Sequence, residues 1–259
     1  MKVEGMTVVN GAPPSDLSAD GIPVPVPVDR FAEESDRIRA VYSRRGERPV
    51  YSVLEPAQML AVQEREKKLL KMLALYGFDS RIGEARILDV GCGSGIWLRK
   101  FVHWGASPQN LVGIDLLSER ITEARSVCPP AITFRCQNAT DLTNVAGDFD
   151  LILQSTVFTS ILDPQMKRQI ASEMLRKLRV DGIIVWYDFH VNNPANPDVR
   201  GIARAEIRRL FPDCRIHLEK LTLAPPLGRP IARLSHGLYR AVSAIKPLCT
   251  HYLGIIRKV

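Results

Sequence analysis

From residue 86 onward, short apolar runs alternate with stretches in which apolar residues recur every three or four positions. Leu151, Ile152 and Leu153 form one such run, and Ile183, Ile184, Val185 and Trp186 form another. Neither alternates with polar residues, which predicts strands covered by helices on both faces. The pattern predicts strands over 86–90, 110–115, 132–137, 149–154, 183–189, 215–223 and 251–257. Helices are expected over 96–104, 118–127, 164–178, 199–211 and 231–245. Strand and helix taking turns implies a doubly wound α/β sheet. No internal repeat is visible.

Upstream the pattern changes. Residues 1–28 are rich in Gly, Pro, Ser and Asp, and from Ile22 to Val28 every second residue is proline. Prolines at every second position cannot be helical, so the segment reads as a flexible, extended arm. Two helices are predicted next, near 30–45 and 55–76. The second carries Met59, Val62, Leu69, Leu70 and Leu73 at near-helical spacing, with Glu64, Arg65, Lys67 and Lys68 on the rest of its surface. Gly77 is placed to end it.

Composition changes this picture little. The chain of 259 residues is 46% hydrophobic and 24% charged, ordinary for a globular protein. It lacks any run of about 18 apolar residues, so no membrane-spanning helix is expected, and no secretory leader is visible. Five scattered cysteines without C-x-x-C spacing point to a reduced, cytoplasmic chain with neither zinc site nor disulfides. Charge adds more. Of the net +7, residues 200–259 contribute twelve Lys/Arg against three Asp/Glu, so the basic character belongs to the C-terminal quarter. Nucleic acid, anionic lipid, a phosphorylated ligand or plain solvent could each face such a surface.

The densest chemistry lies at Ile87-Leu88-Asp89-Val90-Gly91-Cys92-Gly93-Ser94-Gly95. An apolar run ends in an acid, a glycine-rich turn follows, and a helical pattern begins at Ile96. Such a turn brings bare backbone N–H groups close to a ligand. Asp89 argues against a phosphate there and for a ligand with a cationic end. A phosphate-binding P-loop needs Lys-Ser/Thr after its last glycine, but Ile96-Trp97 follows. A dinucleotide fingerprint needs its third glycine at 96, and it stands at 95.

The spacing of Asp89, Gly91, Gly93 and Gly95 resembles the first motif of class I S-adenosylmethionine (SAM)-dependent methyltransferases. The resemblance runs from about 80 to 255. Leu111 to Asp115 looks like that family's second strand, whose terminal acid holds the ribose diol; Asp115 could otherwise cap the next helix. Gln137, Asn138 and Ala139 follow the third strand, where the family holds adenine; Asn138 could instead be a turn residue. Leu116 flanks the adenine or joins the core. Gln154 ends the fourth strand. The implied cofactor set is Asp89, Gly91, Cys92, Gly93, Gly95, Asp115, Leu116, Asn138, Ala139 and Gln154, with SAM as cofactor and no metal. The implied fold is a seven-stranded Rossmann-like sheet whose last strand is antiparallel. Its implied domains are 1–28 as arm, 29–79 as an N-terminal helical lid, and 80–259 as the SAM-binding domain with a helical insertion at 227–247.

For catalysis, Asp188 and His190 lie on one face of the fifth strand by alternation, and His190 falls at its carboxyl end. A histidine there could abstract a proton from a hydroxyl, oriented by Asp188, or could merely hydrogen-bond. The family's Asn/Asp-Pro-Pro-aromatic tetrad for amino groups of bases is missing after Gln154, as is a Pro-Cys nucleophile, which lowers nucleic acid as substrate. Residues 186–201 resemble bacterial methyltransferases of surface-polysaccharide synthesis, which favours O-methylation of a small-molecule or glycan acceptor; the alternatives are an RNA-modifying methyltransferase that uses the basic C-terminal region, or a SAM-binding protein without turnover. The 227–247 insertion is an amphipathic helix packed on the sheet or, more sharply, one that lies on a membrane to reach lipid-linked substrates.

Overall fold

A computed structural model describes residues 30–45, 54–193 and 196–259. The predicted 1–28 arm lies outside them. Seven strands form one sheet in the order β3-β2-β1-β4-β5-β7-β6. These are β1 (Ile87–Val90), β2 (Leu111–Asp115), β3 (Thr133–Cys136), β4 (Phe149–Ser155), β5 (Leu178–Phe189), β6 (Cys214–Leu223) and β7 (Cys249–Lys258). The first five pair in parallel, whereas β7 runs antiparallel to both β5 and β6. The expected Rossmann-like sheet with a reversed last strand is therefore the fold.

Helices cover both faces. On one, α2 (Pro56–Leu75), α3 (Phe78–Arg81) and α4 (Ile96–His103) bring Leu69, Met72, Phe78, Leu98 and Phe101 onto Ile87, Leu151, Leu153 and Val185. On the other, Trp186 of β5 is fully buried against Phe158 and Phe211, on the side of α6 (Pro164–Lys177) and α7 (Arg204–Leu210). α5 (Ser118–Val127) contacts β2 and β3. With both faces covered, β1 and most of β4 and β5 are buried at every position, hence their unbroken apolar runs. Gly77 adopts φ +75° directly after the C-cap of α2, where its N–H meets the carbonyl of Ala74.

Three elements differ from expectation by more than two residues. β5 starts at Leu178, not Ile183, because Leu178 pairs with Phe149 and Ile183 with Leu151 across a register shift. Asp181-Gly182 therefore lies within a bulged strand. α7 starts at Arg204, not Val199, because Arg200 and Ile202 donate their N–H groups to the carbonyls of Thr159 and Phe189. The helix expected over 231–245 is two: α8 (Pro225–Leu234) and α9 (His236–Ser243). Ser235 between them takes extended backbone, and its hydroxyl caps the N–H of Leu238.

The two N-terminal helices have different neighbours. α2 packs on α8, β6 and β7, while α1 (Ala32–Arg45) faces the β4–α6 connection. Among the described residues no helix is long and apolar enough to cross a membrane.

Candidate active site

The glycine turn joins β1 to α4 beside the end of β2. The N–H groups of Gly91 and Cys92 both reach the carbonyl of Ile114, at 2.9 Å each. Gly91, Gly93 and Gly95 all have positive φ, yet they serve different ends. A Cβ on Gly91 would lie 2.4 Å from Cγ2 of Val157, and one on Gly95 would lie 2.6 Å from Sγ of Cys128. A Cβ on Gly93 would meet nothing within 4 Å. Gly93 is thus the residue whose bare backbone opens onto free space. Gly93→Ala is expected to cost only about 1 kcal/mol of stability, for its φ of +52°. The same methyl enters the ligand space and should lower SAM affinity about tenfold or more, read by calorimetry beside a urea melt.

Asp115 closes the turn from the side. Its Oδ2 accepts the N–H of Gly93 at 2.8 Å and its Oδ1 that of Leu117 at 2.9 Å. A carboxylate has about four acceptor positions, so two stay open. Burial pushes its pKa up, against the lowering effect of the Leu117 and Gly93 N–H groups. Asp89 is 1% exposed, and neither of its oxygens has a partner. Burial, and then the charge of Asp115, hold it well above the usual carboxylate range.

A cavity of about 260 Å³ opens here, at the carboxyl ends of β1, β2 and β4. Gly91, Gly93, Asp115, Leu116, Asn138 and Ala139 line it, all predicted from sequence. So do Ile38 and Tyr42 of α1 and Met166 and Ile170 of α6, which were not. Both pairs have i,i+4 spacing, the one trace of this role in the sequence. α1 is fastened over the cavity. Arg37 donates to the carbonyl of Ser160 at 2.6 Å, Tyr42 meets the Ser160 hydroxyl at 3.0 Å, and Glu34 accepts the N–H of Leu162.

Residues 87–182 match the family model of a methyltransferase domain. Residues 87–182 thus form a methyltransferase domain. Three curated relatives are named ubiquinone biosynthesis O-methyltransferase. That of Rhizobium etli is 28% identical over 171 residues, 62% of this chain and 65% of the relative. That of Chelativorans sp. is 31% identical over 110 residues, 40% and 42% respectively. With the third, from Parvibaculum lavamentivorans, the match spans half of each chain. The chain thus aligns with less than two thirds of the length of each. Among solved structures, the magnesium protoporphyrin IX methyltransferase of Synechocystis PCC 6803, with S-adenosylhomocysteine (SAH) bound, superposes with a TM-score of 0.55 at 17% identity. It covers 89% of this chain and 97% of that one. A plantazolicin methyltransferase with SAH superposes with a TM-score of 0.52 at 16% identity, covering 86% and 91%.

The residues of the methyltransferase domain fit such a cofactor. Gly93 offers open backbone, Asp115 has free acceptor positions for a diol, and Asp89 is a buried acid lacking a protein partner. Other predicted residues sit differently. Cys92 points into the core, where its Sγ lies 2.9 Å from the position of a Cβ on Gly113, and burial drives its thiol pKa up. Gly95 does not line the cavity either, because Cys128 and Phe134 fill the space beside it. Gln154 is fully buried below the rim; its Oε1 accepts the N–H of Val157, and its Nε2 has no partner. Asn138 lines the cavity, yet its amide donates to Ser35 and its Oδ1 accepts the N–H of Thr140. Its side chain therefore holds the turn and α1, as in the alternative reading.

The predicted catalytic pair is not brought to the cavity. His190 Nε2 lies 3.1 Å from the carbonyl of Cys249, and its ring stacks on Tyr252. Burial and the nearby Lys220 lower its pKa. Asp188 is buried beneath the β4–α6 connection, where Oγ1 and N of Thr159 donate to it. Thr159 of the 158–160 turn occupies Asp188, and Cys249 and Tyr252 of the neighbouring β7 occupy His190. Burial raises the Asp188 pKa to about 7, despite the Thr159 hydrogen bonds. An acid raised on folding stabilises the fold while protonated and loses that contribution as pH rises from about 4 to about 7. The urea midpoint should fall across that window in the wild type, and Asp188→Asn should flatten the slope.

Proposed function

We propose that this protein is a SAM-dependent methyltransferase that methylates a hydroxyl on a small molecule. The observation that carries the reading is the convergence of Gly93 backbone and the Asp115 carboxylate on one cavity at the carboxyl edge of the sheet, with the unpartnered Asp89 buried near Asp115 and not lining the cavity itself. Asp115 would hold the ribose diol, Gly91 and Gly93 the amino-acid end, and Leu116 and Ala139 the adenine, with Asn138 holding the turn beside it. SAM supplies an electrophilic methyl group on a sulfonium with a good leaving group. The chain's part is then to align acceptor and cofactor and to keep water out. The hydroxyl is supported by the names of the curated relatives. A sugar hydroxyl falls within that class, supported by the sequence of residues 186–201 alone.

His190 is assigned a supporting rather than a proton-abstracting role, because the Cys249 carbonyl engages its Nε2 outside the cavity. His190→Ala should therefore keep kcat within about fivefold, far short of the 10²–10⁴ that a general base contributes. A larger loss returns it to the mechanism. The function itself is tested with methyl-labelled SAM and a panel of phenols, alcohols, sugars and RNA. Label on a small-molecule hydroxyl is expected. Label on RNA alone, or no SAM binding by calorimetry, would overturn the reading.

A further inference from the structure

A second concavity, of about 690 Å³, lies between α2, β6 and α9 and shares no lining residue with the cofactor cavity. Lys67, Lys68 and Lys71 reach it from α2, Lys220 from β6, Arg240 from α9, and Lys246 from the chain after α9. Two acids join them, Glu64 and Glu219. Glu219 is taken by Lys68 at 2.6 Å. Among the described residues, Lys67, Lys71, Lys220, Arg240 and Lys246 have no carboxylate paired with them. Lys67 and Lys71 stand one helical turn apart, where like charges repel. Sequence neighbours do not explain the cluster, because the fold gathers it from residues 67 to 246.

We propose that this groove is an anion site that takes the phosphate group of a phosphorylated ligand. Cations that converge on a concavity with low-dielectric walls focus their field there, whereas lysines on a convex face are simply solvated. The floor supports an organic body behind the phosphate. Met59, Leu60 and Leu221 line it, and Tyr239 is 2% exposed. The volume falls within the 300–1,000 Å³ common for small-molecule sites. Glu64 is the groove's other acid; burial raises its pKa, with Lys246 opposing. The site thereby gives the basic C-terminal quarter a partner, through Lys220, Arg240 and Lys246.

The test is calorimetry of the full chain with inorganic pyrophosphate. Saturable binding is expected, weakened about tenfold or more by Lys71→Glu combined with Arg240→Glu. SAH binding should be unchanged, which shows that the variant is folded. Lys71→Arg with Arg240→Lys should keep the affinity within about threefold. No saturable binding in the wild type, or equal binding in the charge-reversed variant, would refute the site. Co-sedimentation with phosphatidylcholine vesicles, with and without phosphatidylglycerol, separates the sources. Vesicle binding displaced by pyrophosphate makes the ligand a lipid headgroup in the same groove. Pyrophosphate binding without vesicle binding makes it a soluble phosphate ester. Vesicle binding that pyrophosphate does not displace, with no pyrophosphate binding of its own, rejects the discrete site.

Discussion

Asp115→Ala is expected to lower SAM affinity by about 100-fold or more. Two hydrogen bonds from a ribose diol to a carboxylate contribute about 1.5–3 kcal/mol each, and about 1.4 kcal/mol is a factor of ten. The same substitution leaves the N–H groups of Gly93 and Leu117 without their acceptor, so the turn loses its shape as well as its ligand contact. Asp115→Asn separates the two effects. One amide oxygen still accepts from one N–H, while the other position becomes a donor facing a donor. An intermediate loss is expected. Calorimetry with SAH reads both variants, and a loss under threefold in the alanine variant would remove Asp115 from cofactor binding.

Gly254→Ala is expected to have the largest effect on stability, about 3 kcal/mol. Gly254 lies in β7, opposite Trp186 of β5 and Leu218 of β6. A Cβ there would fall 2.1 Å from the carbonyl oxygen of His217 and 2.5 Å from Cδ2 of Leu218. The first contact is backbone, which no rotamer change relieves. Gly93→Ala is the internal control, since its methyl meets open space. Urea unfolding of the two variants should therefore differ by about 2 kcal/mol, and equal melts would contradict the packing described for β7.

The parallel half of the sheet and the glycine turn were legible in the sequence because strands covered on both faces leave unbroken apolar runs. Asp115 and Gly93 were legible for a related reason. Their positions follow from where a strand ends and a turn begins, which is local. Cys92 and Gly95 fall inside the same motif, yet their surroundings come from Gly113, Cys128 and Phe134, which no local pattern reveals. His190 and Asp188 show the limit most clearly. Alternation could not show what meets these side chains: Thr159 at Asp188, and Cys249 and Tyr252 beside His190. The split at Ser235 was hidden because the apolar spacing continues across it, and one hydroxyl cap decides the break. The groove was legible only in half: the charge count shows the basic C-terminal quarter, but its meeting with Lys67, Lys68 and Lys71 of α2 needs the fold.

The strand order carries a consequence for how the chain is made. β6 joins the sheet only through β7, and β7 lies between β5 and β6. β6 is synthesised before β7, so it emerges from the ribosome with no edge to pair with. Until residues 249–258 follow, β5 and β6 both keep unsatisfied edges. Bare edges of this kind invite pairing with other chains. A nascent chain halted near residue 248 should therefore be held by chaperones, whereas β1 to β4, with the glycine turn, have all their neighbours by then.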